Sequence, residues 1–443
     1  MTTIAELGRA LRAGTITSEQ TTERCLANIE ARNRGLNAFI LVMADEALAR
    51  ARRADRELAD GRDLGPLHGV PISIKDLMDV QGTPTTAASR VRTPQPAAAD
   101  APAIANLRAA GAVFVGKTNL HEYALGTTSE DSAFGAVKNP IDPGRSAGGS
   151  SGGSAVSVVA EMAFASIGTD TGGSIRIPSS ACGIVGLKPA YGEISTDGVI
   201  PLAPRLDHVG PLARSVADAW MVLRGLAGAA KPLVPAAPRP SDVRLRVLRK
   251  YFCELLDDDV QERFEEALRR FAAAGVHADE ATIPHADTIM SVYLRIAPRE
   301  AFLQHAATLD TVPERYTAPV RQRLEIGRNV SSEDFLRALD DREVLRTEVD
   351  VALDGGDALV LPAMPIPAPR LGADAVRVAS TEQPTRAMML RETQLFNLTG
   401  HPAISLPCGL TRDGLPCGLQ LVGARDHTEA LIRVALACER LLA

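Results

Sequence analysis

The chain has 443 residues, of which 45% are hydrophobic, and a formal net charge of -6. This composition predicts a globular protein with a substantial core, and the lack of a basic excess argues against nucleic acid and anionic membranes as partners. Because the N-terminus shows no signal-peptide pattern and no apolar run reaches membrane-spanning length, we expect a cytoplasmic protein.

In chain order, helical patterns come first, over residues 2–12, 18–31 and 44–58. Apolar strand patterns follow over 67–77 and 112–117, and residues 161–168 are expected to hold the end of a helix and a third strand. The Pro, Gly and Ala-rich segment 225–241 predicts a surface crossover between two halves of the chain.

The second half opens with a strand pattern over 243–252. A helix follows whose apolar residues share one face, namely Val260, Phe264, Leu268 and Phe271. Ser331 and Asp334 resemble a capping box at the start of another helix. Further strand patterns lie at 358–361 and over 403–421. Helices interleaved with short apolar strands indicate an α/β protein built on a largely buried sheet.

Cysteines and histidines suggest no metal and no cofactor. The six cysteines include no CxxC pair, and the eight histidines form no HxxxH or HExxH spacing. Lysine is rare, with six among the 48 basic residues, so a lysine in this chain can mark a position that arginine cannot fill.

The Gly/Ser run at 146–157, SAGGSSGGSAVS, has two interpretations. Its composition is typical of a flexible linker. However, it leads directly into small apolar residues, which favours the first turns of a packed helix, with Ser150 or Ser151 near the N-terminus. A second Gly/Ser segment, GTDTGGSIRIP at 168–178, places Gly-Gly immediately before Ser174, where backbone N–H groups can approach a ligand oxygen.

Hydroxyls beside exposed backbone donors indicate acyl transfer, which needs a nucleophile next to an oxyanion hole. Residues 149–153 formally match GxSxG, the nucleophile elbow of α/β-hydrolases. That motif follows a strand, whereas this one follows the turn-like segment 139–144, so we do not favour a Ser-His-Asp hydrolase.

Taken together, several segments resemble the amidase signature family. They are HGVPISIKD (68–76), GGSSGGS (148–154), GTDTGGSIRIP (168–178), CGIVGLKP (182–189), LDHVGPLARSVADA (206–219), and FNLTGHPAISLPCG with GLPCGLQLVG (396–409 and 414–423). The resemblance implies one amidase domain over residues 1–443, with N-terminal helices at 1–60, a catalytic core at 65–225 and a C-terminal half at 242–443. It further implies a large mixed central sheet covered on both faces by helices, and a pocket rim within 285–330.

The resemblance also implies a Ser-Ser-Lys catalytic set. Ser174 matches the nucleophile, Ser150 the bridging serine that follows a cis peptide bond, and Lys75 the base. The implied oxyanion donors are the backbone N–H groups of Thr171, Gly172, Gly173 and Ser174. An ordinary lysine, with a pKa of about 10.4, is almost entirely charged near neutral pH, so Lys75 must be desolvated to act as a base.

Other residues receive supporting assignments. We expect Asp76 to be structural, because neighbouring side chains of an extended segment point to opposite faces. Asp170 and Arg176 should pair and hold the nucleophile loop, although Arg176 could instead contact substrate. Ser151 should bond the loop or cap a helix. We expect His68, His121 and His401 to be packing or hydrogen-bonding residues. The implied substrate wall comprises Met78, Ala124, Leu125, Gly126, Thr127 and Thr128.

The function implied by the resemblance is hydrolysis of a small-molecule amide, or of an anilide, carbamate or ester, without nucleic acid or membrane, by a chain that can form a homodimer. Two alternatives remain. One is a partner-dependent enzyme, either the glutaminase-type subunit of a tRNA-dependent amidotransferase or a carboxybiuret-type hydrolase. The other is a noncatalytic binding module, which the joint presence of Lys75, Ser150 and Ser174 disfavours.

Overall fold

A large mixed sheet forms the centre of the molecule. The structure is a computed structural model that describes residues 2–93, 95–229 and 231–443. Its strands are β1 (Phe39–Val42), β2 (Pro71–Lys75), β3 (Val113–Thr118), β4 (Ala165–Asp170), β5 (Val185–Lys188), β6 (His208–Ala213), β7 (Arg244–Leu248), β8 (His277–Ala281), β9 (Ala358–Pro362), β10 (Ala375–Val378), β11 (Thr381–Pro384), β12 (Ala403–Leu410) and β13 (Pro416–Val422). In the described chain, eleven of these pair in the order β1-β3-β2-β4-β6-β5-β12-β13-β9-β7-β8, and β10 and β11 form a separate hairpin.

Helices flank the sheet and supply most of the remaining secondary structure. They are α1 (Ile4–Arg12), α2 (Ser18–Leu36), α3 (Ala44–Ala59), α4 (Pro102–Ala109), α5 (Gly152–Val159), α6 (Arg176–Cys182), α7 (Val216–Leu226), α8 (Asp258–Ala273), α9 (Ile289–Thr311), α10 (Ala318–Arg328), α11 (Ser332–Leu353), α12 (Thr385–Leu390), α13 (Leu395–Leu398) and α14 (Thr428–Leu442). The α/β class expected from the sequence is confirmed.

Alternation along the buried strands divides the core between the two faces of the sheet. On β9, Ala358 and Val360 belong to one hydrophobic cluster, whereas Leu359 and Leu361 belong to another. Successive side chains of a strand point to opposite faces, so a strand covered on both sides must be apolar throughout. All five residues of β9 are buried.

Several predicted helices in both halves of the chain lie where their patterns placed them. Thr3 caps α1 with a complete capping box, and Ser331 accepts a hydrogen bond from the N–H of Asp334 at the start of α11. Helix α2 continues five residues beyond the predicted end, to Leu36, where Asn37 adopts a left-handed conformation with φ of 54°. Asparagine tolerates that conformation and therefore terminates helices almost as glycine does.

The segment 225–241, predicted as a crossover, lies between the last turn of α7 and the start of β7, and residue 230 is outside the described residues. Across the described part of the chain, no helix combines the length and apolar character needed to cross a lipid bilayer.

Candidate active site

Two parallel neighbouring strands bring the candidate site together. Strand β2 pairs in parallel with β4, and Ile74 lies opposite Ile167. Lys75 is the last residue of β2, and Asp170 is the last residue of β4. Because parallel strands end at the same edge of a sheet, the groups that follow them converge there. Residue 150, at the entry to α5, reaches the same edge.

The amine of Lys75 lies among three hydroxyl groups. Its Nζ is 2.8 Å from Ser150 Oγ, 2.9 Å from Ser151 Oγ and 2.7 Å from Thr169 Oγ1. Lys75, Ser150 and Ser151 are completely buried, and no carboxylate of the described residues is in direct contact with the amine. The amine therefore has hydrogen-bond partners but no adjacent counter-ion.

Burial lowers the pKa of Lys75 to about 7, and the more distant carboxylates of Asp170 and Asp207 oppose this shift. Desolvation disfavours the charged form of an amine, and neutral hydroxyls compensate that charge only in part. Near pH 7 a substantial fraction of Lys75 is consequently neutral and can accept a proton, which an ordinary lysine almost never can.

Asp76 points away from this amine, as the extended backbone predicts. Its Oδ1 lies 2.8 Å from the Nζ of Lys117, and its Oδ2 accepts a hydrogen bond from the N–H of Thr86 at 3.1 Å. Asp76 and Lys117 form a buried ion pair on the opposite side of the strand. A carboxylate directly adjacent in sequence thus leaves Lys75 free to lose its charge.

The backbone around Ser150 has an unusual geometry. The peptide bond between Gly149 and Ser150 is cis. The carbonyl oxygen of Ser150 accepts hydrogen bonds from the N–H of His121 and from Ser129 Oγ, each at 3.1 Å. Ser129 Oγ also accepts a hydrogen bond from the N–H of Gly152 at 3.1 Å, so one hydroxyl holds the backbone on both sides of Ser151. This segment is buried and hydrogen-bonded, and the linker interpretation is wrong.

The loop between β4 and α6 carries Ser174, which is 7% exposed. Its hydroxyl makes no hydrogen bond to any residue that the structure describes, and the residue lines a pocket. Gly173 has φ of 133°, and a Cβ at that position would lie 2.2 Å from Thr393 Oγ1. Only glycine fits there, so the loop can bring its backbone against Thr393 and turn Ser174 toward the pocket.

The backbone N–H groups of the loop differ from the expected set of four donors. The N–H of Gly173 donates to Asp170 Oδ1 at 2.8 Å, so it is already occupied. Those of Thr171, Gly172 and Ser174 have no acceptor among the described residues. Gly173 therefore shapes the loop, and three of the four predicted donors remain available to an oxyanion. The physical reason is that Asp170 draws the N–H groups at the start of α6 toward its carboxylate.

Asp170 and Arg176 pair as predicted. Arg176 Nη2 lies 2.9 Å from Asp170 Oδ1, Arg176 Nε lies 3.1 Å from Oδ2, and both side chains are completely buried. Arg176 also donates to the carbonyl oxygen of Thr393, to Gln420 Oε1 and to Asn397 Oδ1. Although burial opposes it, the positive charge of Arg176 lowers the pKa of Asp170. Since these bonds engage the guanidinium inside the protein, Arg176 holds the loop and does not face a substrate.

The pocket at Ser174 contains four of the six residues predicted for the substrate wall, namely Ala124, Leu125, Gly126 and Thr127. The other two do not line it. Met78 is completely buried in the hydrophobic core. Thr128 follows the lining residues in the sequence, and its carbonyl oxygen accepts a hydrogen bond from Ser146 Oγ. A methionine directly after a buried strand continues the apolar packing of that strand.

Several residues of the site were not predicted from the sequence. Thr169 precedes Asp170 on β4. The only signal for it was its hydroxyl within the same segment as the predicted nucleophile Ser174. Tyr293 from α9 and Arg386 from α12 also line the pocket at Ser174. They come from distant parts of the chain without a readable motif, although the expected rim at 285–330 does contain Tyr293.

The three histidines expected to be packing or hydrogen-bonding residues lie within hydrogen-bond distance of neighbouring side chains. His68 Nε2 is 2.9 Å from Glu57 Oε2, His121 Nε2 is 2.9 Å from Arg323 Nη1, and His401 Nδ1 is 2.9 Å from Thr399 Oγ1. Within the described ranges, no group of three or more His, Cys, Asp or Glu side chains is arranged to hold a metal ion.

The fold and the site together define an amide hydrolase. The site combines a buried lysine among hydroxyl groups with a serine that follows two glycines at the pocket. The model of the Amidase family matches residues 20–432. The chain belongs to the amidase family.

Several known proteins are similar to this chain over nearly its whole length. Koribacter versatilis has a glutamyl-tRNA(Gln) amidotransferase whose A subunit is 37% identical over 98% of this chain and 97% of its own. A solved amidase superposes with a TM-score of 0.94 at 38% identity and covers all of both chains. Another solved protein belongs to a vestigial protein complex that reveals the evolutionary origins of an s-triazine catabolic enzyme. It has a TM-score of 0.93 at 32% identity, over 99% of this chain and 98% of its own.

These relatives overturn two expectations. From net charge and composition we expected no nucleic acid as a partner, and from the family resemblance we expected a small-molecule amide substrate. Both expectations are wrong, because relatives matching 98–99% of the chain are named as subunits of an amidotransferase for glutamyl-tRNA(Gln). The physical reason is that the net charge of one chain carries no information about nucleic acid handled by a multisubunit assembly.

Proposed function

We propose that this chain is the amide-hydrolysing subunit of a tRNA-dependent amidotransferase, which releases ammonia from glutamine through an acyl-enzyme. The observation that carries the proposal is the buried Lys75 amine among three hydroxyls, within a chain that matches amidotransferase A subunits over nearly its full length. Such a role implies a cytoplasmic location.

In the first half of the reaction, neutral Lys75 accepts a proton from Ser150, which in turn accepts the proton of Ser174. The oxygen of Ser174 attacks the amide carbonyl carbon, and the carbonyl oxygen becomes an oxyanion. The free N–H groups of Thr171, Gly172 and Ser174 stabilise that charge, because fixed donors in a water-poor site need no reorganisation.

Collapse of the tetrahedral intermediate breaks the carbon–nitrogen bond. Lys75 returns its proton through Ser150 to the departing nitrogen, so ammonia leaves as a neutral molecule and the acyl group remains as an ester of Ser174. A water molecule then attacks this ester, with the same pair acting as base, and frees the acid. Lys75 serves as base and then as acid, which requires a pKa near the working pH, and its pKa is about 7.

A second candidate is a carboxybiuret-type hydrolase that works with a partner subunit. It is favoured by the TM-score of 0.93 to the protein from the complex linked to s-triazine catabolism. Both candidates share the same bond cleavage and the same need for a partner, and they differ in the substrate that occupies the pocket.

The test is ammonia release from L-glutamine. We would assay the chain alone and after adding the remaining subunits of the Koribacter versatilis amidotransferase with glutamate-charged tRNA(Gln), using Ser174→Ala as the blank. We expect glutamine hydrolysis that rises when the other subunits are present and is absent in Ser174→Ala. Hydrolysis of carboxybiuret without hydrolysis of glutamine would select the second candidate. Turnover restricted to anilides, carbamates or esters would contradict both.

A further inference from the structure

An arginine side chain without a counter-ion lies at the pocket that contains Ser174. Arg386, the second residue of α12, lines this pocket together with Tyr293 and Leu390. The side chain is partly buried, and its Nη1 atom is completely buried with no hydrogen-bond partner among the described residues. Unsatisfied donors inside proteins are rare, and an unpaired cation is costlier still, so this group calls for an acceptor.

Comparison with the other arginines of the site shows how unusual Arg386 is. Arg176 pairs with Asp170, and Arg323 lies 3.3 Å from Asp131 and donates to the carbonyl oxygen of Leu125. No carboxylate of the residues described in the structure forms an ion pair with Arg386. Burial, reinforced by the charge of Arg323, lowers the pKa of Arg386 to about 10, which still leaves it positive at neutral pH.

A second donor lies beside it. Tyr293 lines the same pocket, and its hydroxyl makes no hydrogen bond to another described residue. Burial raises the pKa of Tyr293 to about 12, so the hydroxyl keeps its proton and can donate it. A planar guanidinium next to a phenol hydroxyl suits a carboxylate, which accepts several hydrogen bonds at once.

The position of the pocket decides which part of the substrate it receives. The leaving nitrogen must approach Ser150 and Lys75, which return its proton. Neither residue lines the pocket of Arg386, whose wall consists largely of residues 124–127 and residues of α9 and α12. The acyl part of the substrate therefore occupies this pocket, with its far end toward Arg386.

We propose that Arg386 binds a carboxylate carried by the acyl part of the substrate, so that the chain selects amides of dicarboxylic acids over uncharged amides. This inference deepens the proposed function and rests on it for the placement of the acyl group. Glutamine satisfies the requirement, because three carbon atoms separate its α-carboxylate from the amide carbonyl carbon.

The experiment measures binding to Ser174→Ala, which cannot form the acyl-enzyme. The first probe is glutaramate, which is glutamine without its amino group. The second is valeramide, an uncharged analogue with a methyl group in place of the carboxylate. The third is N-acetyl-β-alanine, which carries its carboxylate on the amine side. Dissociation constants would be measured by calorimetry for Ser174→Ala alone and combined with Arg386→Gln, Arg386→Lys or Arg377→Gln. Arg377 is an exposed arginine of β10 and serves as the matched control.

We expect Ser174→Ala to bind glutaramate about 10- to 100-fold more tightly than valeramide, the range for one buried charge-assisted contact. Arg386→Gln should remove this preference by weakening glutaramate alone, Arg386→Lys should retain part of it, and Arg377→Gln should leave it unchanged. The inference would be overturned if glutaramate and valeramide bound equally. It would also be overturned if N-acetyl-β-alanine bound more tightly than glutaramate, or if Arg386→Gln weakened both amides equally.

This measurement is independent of turnover. If glutamine is not hydrolysed but Ser174→Ala still prefers glutaramate through Arg386, the proposed function fails and the carboxylate site stands. If glutamine is hydrolysed but the preference for glutaramate is absent, the proposed function stands and the carboxylate site at Arg386 fails. Should Arg386→Gln fail to fold, as judged by its melting temperature, the comparison of the three probes on Ser174→Ala and on Arg386→Lys decides the question.

Discussion

At the scale of single residues, the amine of Lys75, which we propose as the base, is expected to set the pH range in which the chain can act. Its pKa of about 7 lies below the ordinary lysine value, so the base is protonated and inactive below pH 7 and neutral above it. We predict that kcat/KM rises about tenfold per pH unit below 7 and levels off above it. A pH–rate profile between pH 5.5 and 9 checks this, and a flat profile would contradict it.

The replacement Lys75→Arg separates the base from the positive charge. A guanidinium remains protonated at every accessible pH and cannot accept the proton of Ser150. We predict a loss of activity of about 10²- to 10⁴-fold at pH 8, the range for removal of a general base. The matched control is Lys250→Arg, at an exposed lysine outside the site, which should keep wild-type rates. Comparable activity in Lys75→Arg and Lys250→Arg would eliminate Lys75 as the base.

Thr169 shows what residue-level sequence reasoning lacks. Lys75, Ser150 and Ser174 could be assigned because each lies within a distinctive motif. Thr169 Oγ1 is the nearest of the three hydroxyls around the amine, at 2.7 Å, yet its position near Lys75 depends on the pairing of β2 with β4. Strand pairing is a long-range property, and the local sequence does not specify it.

At the scale of elements, the loop between β4 and α6 depends on the buried pair of Asp170 and Arg176. Replacing Asp170 by Asn leaves the guanidinium buried without a counter-ion, which costs about 3–5 kcal/mol in the free energy of unfolding. We predict a marked fall in melting temperature for Asp170→Asn. The surface pair of Arg239 and Asp242 provides the control, and Asp242→Asn should melt close to wild type. Similar melting of both variants would show that the buried pair adds little.

The same loop limits what can replace Gly173. Its φ of 133° is strained for any other residue, and a Cβ there would clash with Thr393 Oγ1 at 2.2 Å. We predict that Gly173→Ala shifts the donors around Ser174 and reduces kcat about 100-fold or more. Gly192→Ala is the control, because Gly192 also has positive φ but has open space around it. A Gly173→Ala enzyme with normal kcat would show that the loop tolerates displacement.

Elements with strong local signals were predictable, and those with long-range causes were not. The periodic apolar residues of α8 and the capping residue of α11 marked those helices in the sequence. By contrast, β8 has the sequence HADEA, and four of its five residues are exposed, because it is the edge strand beside β7. Edge strands commonly carry charged residues that discourage further pairing. Their sequences therefore lack the apolar pattern from which a strand is predicted.

At the scale of the whole molecule, the two halves of the chain share one sheet and one site. Strand β12 pairs with β5, and Arg176 bonds Asn397 and Gln420 across more than 200 residues of sequence. We predict a single cooperative unfolding transition in urea. Fluorescence of Trp220, the one tryptophan in the sequence, and far-ultraviolet circular dichroism should give coincident curves. A second transition seen only by circular dichroism would reveal an independently folded C-terminal half.

The distribution of the six lysines has a practical consequence. Lys75, Lys117 and Lys188 are completely buried, whereas Lys138, Lys231 and Lys250 are exposed. An amine-acylating reagent should therefore modify the exposed three rapidly in the native protein and reach the others only when the sheet opens. The amine of Lys75, although neutral enough to react, is shielded by the fold, so peptide mapping of its acylation would time the opening of the site itself.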